Sequence, residues 1–126
     1  MTDALLLTLN LGSSTLKAAC FGGLRAGRAQ PLRRVELDLD AADAPDALLT
    51  GAAAALGLPR APAWVAHRIV HGGDPTRPRP LDEEELARLH ALAPLAPIHQ
   101  PGALALVGRA CALWPAARQF GVYDTA

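Results

Sequence analysis

The stretch LLLTLNLGSSTLKAACF, residues 5–21, predicts two apolar strands joined by a short polar turn. The near-continuous apolar run over residues 4–10 is typical of a strand that is covered on both faces. Residues 15–21 predict a second strand, antiparallel to the first because the link between them is so short. At that link, Gly12 can adopt a backbone conformation with positive φ. The chain therefore begins with a β-hairpin whose tip is small and polar.

The tip of this hairpin has the composition of a phosphate-binding turn. Ser13, Ser14 and Thr15 supply hydroxyl and backbone N–H groups, and Lys17 adds a positive charge, which together complement phosphate oxygens. The spacing is not that of the G-x-x-x-x-G-K-[ST] loop, and a strand rather than a helix follows, which excludes a nucleotide-binding P-loop. An ordinary hairpin with a polar tip and one surface lysine explains the same residues, so both interpretations stay open.

Two rare residues flank the turn. Lys17 is the only lysine in the chain, against eleven arginines, and Asn10 is the only asparagine. The bias towards Ala, Arg, Leu, Pro and Gly suggests a G+C-rich coding sequence that disfavours both. That both exceptions lie beside one turn favours a functional hairpin tip.

Composition narrows the classes of function. The 126 residues suit one compact domain, 51% of them are hydrophobic, and the formal net charge is zero. A neutral chain without clustered basic residues gives no electrostatic support for binding nucleic acid or a membrane surface. The N-terminus lacks a basic region and a long apolar run, so no signal peptide or membrane span is expected and the expected location is cytoplasmic. Cys20 and Cys111 are expected to be free buried thiols.

The middle of the chain predicts an edge strand, a helix and an interior strand. Residues 33–39 alternate polar and apolar, as a half-exposed edge strand does. Residues 43–56 are rich in Ala and Leu and predict a helix that Gly57 ends. The apolar residues 64–70 predict an interior strand, and the three prolines within residues 75–80 then predict a loop without regular structure.

The last third predicts two helices and a closing strand. Asp82 is a suitable N-cap for a helix that ends near Leu92, with three glutamates in its first turn. A second helix begins at residues 99–101, where a first-turn proline is tolerated, and residues 119–125 predict the closing strand. Strands followed by alternating helices and strands predict an α/β layered domain with a mixed sheet. The expected apolar stripe of the second helix comprises Leu104, Val107, Cys111 and Leu113.

A second polar group follows the predicted interior strand. The segment HRIVHGG, residues 67–73, places Arg68 near the end of a buried strand, where an unpaired charge is costly. A carboxylate or phosphoryl group of a substrate would match the fork of its guanidinium. An internal ion pair with Asp124 or Asp74 would satisfy the same charge, so that alternative stays open.

Two further candidates lie at the ends of predicted elements. His99 lies between two prolines at the start of a helix, where an exposed loop histidine is the simpler interpretation. Asp124 lies at the carboxyl end of a strand, where open α/β sheets bind ligands, and could cap, bind a metal or orient a nucleophile. His90 has no partner in the sequence and is expected at the surface.

Four segments resemble, in this order, motifs of the acetate kinase family. Residues 9–17, LNLGSSTLK, are similar to its N-x-G-S-S-S-x-K, and residues 67–73 to its H-R-x-V-H-G-G. Residues 92–101, LAPLAPIHQP, resemble L-A-P-L-H-N-P, and residues 122–126, VYDTA, resemble the start of V-F-D-T-A-F-H. Four matches in order along the whole chain are far more specific than one.

The chain also departs from these motifs. Residues 95–97 repeat part of the third motif and displace it by two or three positions, and Gln100 replaces the usual asparagine. The chain ends inside the fourth motif, so residues 1–126 are expected to be an incomplete N-terminal lobe. The family's second lobe, with its adenosine-binding glycine-rich segments, another arginine and a metal-binding glutamate, is therefore expected to lie outside these 126 residues.

The resemblance implies an actin-like, sugar-kinase-like α/β fold of the ribonuclease H-like type, with helices flanking a mixed sheet. It implies reversible phosphoryl transfer from ATP to acetate, giving acetyl phosphate and ADP, with Mg²⁺ and with homodimers in the full-length family. One alternative is a propionate or butyrate kinase, whose acyl pocket would lie around Val70 and Pro97. Another is a non-catalytic remnant that binds a phosphate or a partner protein. An isolated lobe cannot close a cleft and is expected to have little or no activity.

Matched positions imply roles for the hairpin. Asn10 is expected near the metal, and Lys17 near the nucleotide phosphates together with Gly12, Ser13 and Ser14 of the turn.

Matched positions outside the hairpin imply roles in the transfer itself. Arg68 is expected to bind the substrate carboxylate or the phosphoryl group in transit, and His99 to stabilise that group. Asp124 is expected to be the essential acid that orients acetate or the metal. These groups match the needs of in-line phosphoryl transfer, which requires positioning and positive charge rather than a covalent intermediate.

Overall fold

A computed structural model describes residues 4–12, 14–23, 27, 30–39, 45–69, 77–92 and 100–123. These residues form one six-stranded sheet and three helices, so the predicted mixed α/β architecture is confirmed. In chain order the elements are β1 (Leu6–Leu11), β2 (Thr15–Gly22), β3 (Gln30–Asp38), α1 (Pro45–Leu56), β4 (Trp64–Ile69), β5 (Arg79–Pro80), α2 (Glu83–Ala91), α3 (Gln100–Leu113) and β6 (Arg118–Tyr123).

The strands are arranged in the order β3-β2-β1-β4-β6-β5. β1 and β2 form the predicted antiparallel hairpin, whereas β1 pairs with β4, and β4 with β6, in parallel. The prediction of an interior strand at β4 is confirmed, and β3 lies at the sheet edge as its alternating pattern predicted. The hairpin and the interior strand are thus direct neighbours, which brings the first two sequence motifs together.

One face of the sheet carries the main core. Alternate residues of the central strands, including Leu7, Leu9 and Val65, are almost fully buried on this face. Buried residues of α1 and α3, such as Leu49 and Leu106, belong to the same cluster, and α2 joins a smaller cluster beside it. The period-two alternation of a strand therefore assigns every second residue to the core.

We call the opposite side the open face, because no helix among the described residues packs against it. Leu6, Thr8 and Asn10 of β1 lie on this face and are only half-buried. The prediction that β1 is covered on both faces is therefore wrong for the described part of the chain. An apolar run does not reveal how many faces of a strand are covered.

Two elements of the second half differ from prediction. The proline-rich segment contains the short strand β5, in which Arg79 and Pro80 pair with Gly121 and Phe120. Proline is tolerated there because β5 is an edge strand. In α3 the stripe is also imperfect, since Leu113 is 39% exposed. Leu106 and Ala110 take core positions instead.

The ends of the helices follow local chemistry. The Asp82 carboxylate accepts a hydrogen bond from the Glu85 N–H at 2.8 Å, so the predicted N-cap of α2 is confirmed. Gly57, just after α1, has a φ of +60°, which suits a residue without a Cβ atom. His90 is exposed as expected, and both cysteines are free, although only Cys20 is fully buried.

Candidate functional site

Three of the predicted site residues lie together on the open face. Asn10 of β1 and Lys17 of β2 stand directly opposite each other in the antiparallel ladder. The parallel register of β1 and β4 runs to Leu9 opposite His67, so the next residues along the two strands are Asn10 and Arg68. Opposed residues of neighbouring strands share a face. One amide and two cations therefore lie side by side on three adjacent strands.

The side chain of Arg68 is exposed, although β4 is an interior strand. The expectation of an arginine inside a buried environment is therefore wrong. The reason is the open face: Arg68 lies on the uncovered side, whereas its neighbours His67 and Ile69 lie in the core. The suggested partners Asp74 and Asp124 lie outside the described residues.

The hairpin tip is held by backbone hydrogen bonds. The Gly12 N–H donates to the Thr15 carbonyl at 2.8 Å, and the Leu39 N–H donates to the Ser14 carbonyl at 2.9 Å. Gly12 does not have positive φ, so it does not use the left-handed conformation that its sequence position allowed. Its N–H is also committed to the turn. The Gly12 N–H is therefore not available to a phosphate, and the predicted phosphate-binding role falls to Lys17 and to the other residues of the hairpin tip.

A groove of about 690 Å³ runs along the open face beside the hairpin. Asn10 and Lys17 line it, and so do Arg34 and Glu36 of the edge strand β3. Glu36 pairs with Lys17 in the ladder, and Arg34 with Ala19. Sequence reasoning missed both β3 residues. The only sign of them in the sequence is that both occupy polar positions in the alternating polar and apolar pattern of residues 33–39.

The remaining predicted site residues lie outside the described part of the chain. They are Ser13, His71, Gly72, Gly73, His99 and Asp124, together with Val70 and Pro97 of the suggested acyl pocket. β6, whose last described residue is Tyr123, directly precedes Asp124 in the sequence.

A buried polar pair lies behind Arg68 on the core face. His67 is 2% exposed, and its Nε2 lies 2.7 Å from Oε1 of Gln119 on β6. Burial lowers the pKa of His67 to about 4, although the bond to Gln119 opposes this shift. The imidazole is therefore neutral at neutral pH and links β4 to β6 as a structural group.

A second polar cluster joins α2 to β6, and sequence reasoning missed it. Glu85 accepts hydrogen bonds from Arg88 at 2.9 and 2.7 Å and from the Tyr123 hydroxyl. The bonds from Arg88 lower the pKa of Glu85 to about 2 despite its burial. Burial, followed by the adjacent carboxylate, raises the pKa of Tyr123. From the sequence, Glu85 cannot be distinguished from the two other glutamates in the first turn of α2. Only its contacts with Arg88 and Tyr123 in the folded chain set it apart.

The donor set for a metal is small in the described residues. They contain no group of three or more His, Cys, Asp or Glu side chains that could hold a metal ion. Asn10 contributes one amide oxygen to the groove, and Glu36 contributes a carboxylate. Mg²⁺ commonly takes only one or two protein oxygens together with substrate phosphates and water. These two residues therefore fit Mg²⁺ bound with a phosphorylated substrate, but not a metal site made of protein ligands alone.

Comparison with known proteins identifies the family. Residues 58–126, more than half of the chain, match the model of the acetokinase family. The chain belongs to the acetokinase family. This confirms the resemblance that the four sequence motifs carried.

Members of the family align with the entire chain but extend well beyond it. The chain is 33% identical over its whole length to acetate kinase 2 of Vibrio vulnificus, and it spans 38% of that protein. The crystal structure of Porphyromonas gingivalis acetate kinase matches 98% of the chain with a TM-score of 0.76 and 25% identity. That of Entamoeba histolytica acetate kinase matches with a TM-score of 0.72 and 26% identity. The chain covers 38% and 35% of these two structures, and the match confirms the predicted actin-like fold of an N-terminal portion.

The helices were also compared with the length and hydrophobicity that a membrane-spanning helix requires. Among the residues that the structure describes, no helix is both long and apolar enough to cross a bilayer.

Proposed function

We propose that this chain supplies the N-terminal lobe of a carboxylate kinase that transfers the γ-phosphoryl group of ATP reversibly to acetate. The observation that carries the proposal is the placement of Asn10, Lys17 and Arg68 on one face of three adjacent strands. Two cations and an amide on a rigid sheet suit phosphoryl transfer, because that reaction is catalysed by positioning and by charge stabilisation. Family membership supports the same chemistry.

The two cations have different proposed partners. Lys17 at the hairpin binds nucleotide phosphate oxygens as a compact positive charge, aided by Ser13 and Ser14, while Gly12 holds the turn through its own N–H. Arg68 binds the acetate carboxylate or the phosphoryl group in transit through its planar fork. Because Lys17 on β2 and Arg68 on β4 flank β1 on the same face of the sheet, both ends of the transferred group can be held at once.

Two further residues receive roles from their motifs. His99 stabilises the transferring phosphoryl group, and Asp124 orients acetate or the metal. Mg²⁺ would be held by Asn10 and the substrate phosphates, where it would neutralise charge on the phosphate oxygens.

The 126 residues alone are proposed to turn over little substrate. The groove that carries Asn10 and Lys17 lies on an open face, and efficient phosphoryl transfer needs water to be excluded. The relatives provide the remaining part of the enzyme in roughly the other 62% of their length, since the match covers 38% of them.

A chimera tests the proposal. Residues 1–126 are joined to the unmatched C-terminal part of Vibrio vulnificus acetate kinase 2, and acetyl phosphate is trapped with hydroxylamine. We expect activity, and a loss of at least about a hundredfold in kcat/KM for both Lys17→Ala and Arg68→Ala, the size typical of removing one preorganised charge contact.

Arg118→Ala is the matched control, because Arg118 is an exposed arginine on the open face at the other end of the sheet. Its loss should leave kcat/KM unchanged. Comparing acetate, propionate and butyrate as acceptors then identifies the preferred acyl chain. A folded chimera without activity, or Arg68→Ala with normal activity, would refute the kinase proposal and favour a non-catalytic remnant.

A further inference from the structure

The outer edge of β3 is a surface for which the proposed function has no role. β3 ends the sheet, and no other described strand pairs with its outer side. Its side chains are exposed except for Val35 and Leu37, which are half-buried. The edge strand at the other end of the sheet, β5, has only two residues, and one of them is a proline. β3 is therefore the edge of the described sheet that can accept a further strand.

The register of β3 shows which of its backbone groups point outwards. The Leu39 N–H donates to the Ser14 carbonyl at 2.9 Å, so the backbone of Leu39 faces β2. Residues that face the neighbouring strand alternate with residues that do not along an antiparallel ladder, and this register is unbroken over residues 33–38. Val35 therefore also directs its N–H and C=O towards β2, whereas Arg34 and Glu36 direct theirs away from the sheet.

The side chains of these two residues carry opposite charges. Arg34 and Glu36 are both exposed and line the groove of the open face. Within the described part of the chain, neither takes part in an ion pair. When a second β3 runs antiparallel to the first with Val35 at the two-fold axis, Arg34 lies opposite Glu36 of the partner subunit. Glu36 then lies opposite Arg34 of the partner subunit, so β3 is complementary in charge to an inverted copy of itself.

The same charges disfavour the neighbouring registers. A shift of two residues keeps the outward backbone groups opposed, but it places Arg34 opposite Arg34 of the partner subunit in one direction. In the other direction it places Glu36 opposite Glu36 of the partner subunit, and like charges in opposed positions destabilise a strand pair. A shift of one residue sets outward backbone groups against groups that are already bonded to β2. The charge pattern therefore selects one register.

We propose that this chain forms a dimer with a second copy of itself through antiparallel pairing of the two β3 edges, centred on Val35. In this register Arg34 and Glu36 of each copy exchange main-chain hydrogen bonds, and their side chains form two opposed charge pairs on the open face. Each copy uses the same edge, so the assembly closes at two subunits. The proposal does not depend on the phosphoryl-transfer function.

The pairing also extends the charged part of the open face. Glu36 lies opposite Lys17 in the ladder between β2 and β3. In the dimer, Glu36 would have Lys17 on one side and Arg34 of the partner subunit on the other, which gives a row of alternating charge across the two-fold axis. Because Arg34 and Glu36 line the groove, the grooves of the two copies would meet at this axis.

Charge reversal tests the proposal by sedimentation of the 126-residue chain in a concentration series that reaches about 1 mM, because two short paired strands form a small interface. We expect the unmodified chain to form a dimer. Arg34→Glu and Glu36→Arg should each raise the dissociation constant at least about tenfold, since two-fold symmetry makes each substitution create two contacts between like charges. Arg118→Glu makes the same change of charge on β6 and is the control, which should keep the dissociation constant unchanged.

Mixing the two variants tests the register. When the Arg34→Glu chain meets the Glu36→Arg chain, opposite charges again face each other at both contacts, so the mixture should form a heterodimer. The double variant Arg34→Glu/Glu36→Arg should regain the homodimer for the same reason. These two measurements also separate a lost contact from a loss of folding in a single variant. An unmodified chain that stays monomeric, or variants that do not associate when mixed, would overturn the proposal.

Amide hydrogen exchange identifies the surface that the dimer uses. The outward amides of Arg34 and Glu36 should exchange about tenfold more slowly at dimeric than at monomeric concentration, because they become hydrogen-bonded. The Val35 amide, which faces β2, should exchange at the same rate at both concentrations. A dimer in which the amides of Arg34 and Glu36 remain unprotected would be formed through another surface and would contradict the pairing of β3.

Discussion

His67 shows how burial alone can change the chemistry of a residue in a candidate motif. It begins the HRIVHGG segment, yet it lies in the core against Gln119, whereas the next residue is exposed on the open face. Its pKa of about 4 keeps it neutral, so it serves the site by linking two strands and not by carrying charge. Adjacent residues of one strand can therefore have opposite roles.

This burial predicts a pH dependence of stability. The unfolded chain binds a proton at His67 near pH 6.5, while the folded chain does so only near pH 4. The free energy of unfolding should therefore be unaffected by His67 above pH 6.5 and should fall as the pH drops towards 4, by up to about 3 kcal/mol. Urea denaturation over this range measures it. His67→Gln should lose most of the slope, and an unchanged slope in that variant would show that another group causes it.

Gly121 provides a second prediction for a single residue. Gly121→Ala places a Cβ atom 2.7 Å from the Tyr123 hydroxyl oxygen, so the ring must move away from Glu85. We expect a loss of about 2–3 kcal/mol in the free energy of unfolding, from steric strain and the broken hydrogen bond. The matched control is Gly108→Ala in α3, where the added Cβ atom meets nothing within 4 Å. That change should stabilise the chain by about 0.5–1 kcal/mol, because glycine disfavours a helix.

At the scale of an element, α2 illustrates how a local signal places a distant contact. Asp82 caps the helix through the Glu85 N–H, and the side chain of the same Glu85 meets Tyr123. The cap, which involves residues only three positions apart, thus fixes the start of the helix that carries Glu85 to its contact with β6. The cap was predictable from Asp82 followed by glutamates, whereas the partner of Glu85 was not.

The cap can be tested separately. Asp82→Ala should lower the free energy of unfolding by about 1 kcal/mol, because one N–H at the start of α2 loses its acceptor. Glu84→Ala in the same turn is the control, since Glu84 is exposed and should change stability by less than about 0.5 kcal/mol. Thermal or urea unfolding of both variants measures the two changes in the free energy of unfolding. Equal effects would mean that charge near the helix terminus, and not the cap, stabilises α2.

At the scale of the molecule, one face of the sheet is packed by helices and the other is open in the described structure. The open face is where Asn10, Lys17 and Arg68 lie, so these three candidate residues are together and no described helix covers them. The chain spans about 38% of the family members that it matches.

This arrangement predicts the behaviour of the 126-residue chain by itself. With ATP, Mg²⁺ and acetate it should form acetyl phosphate at least about a thousandfold more slowly than the chimera with the Vibrio vulnificus C-terminal part, because water is not excluded from an open groove. The hydroxylamine trap measures both. Turnover by the short chain equal to that of the chimera would contradict the need for a second lobe.

Local patterns in the sequence determined the hairpin, the edge strand, the interior strand and the N-cap of α2, since each depends on residues within a few positions of one another. The family was determined by four such local motifs in a fixed order along the chain. Only the tertiary structure decided that β1 and Arg68 have an open side, that Arg34 and Glu36 line the groove, and that Glu85 meets Tyr123. The physical reason is that strand register and helix packing choose which face of each element is covered. Those choices depend on residues tens of positions apart, which no local period encodes.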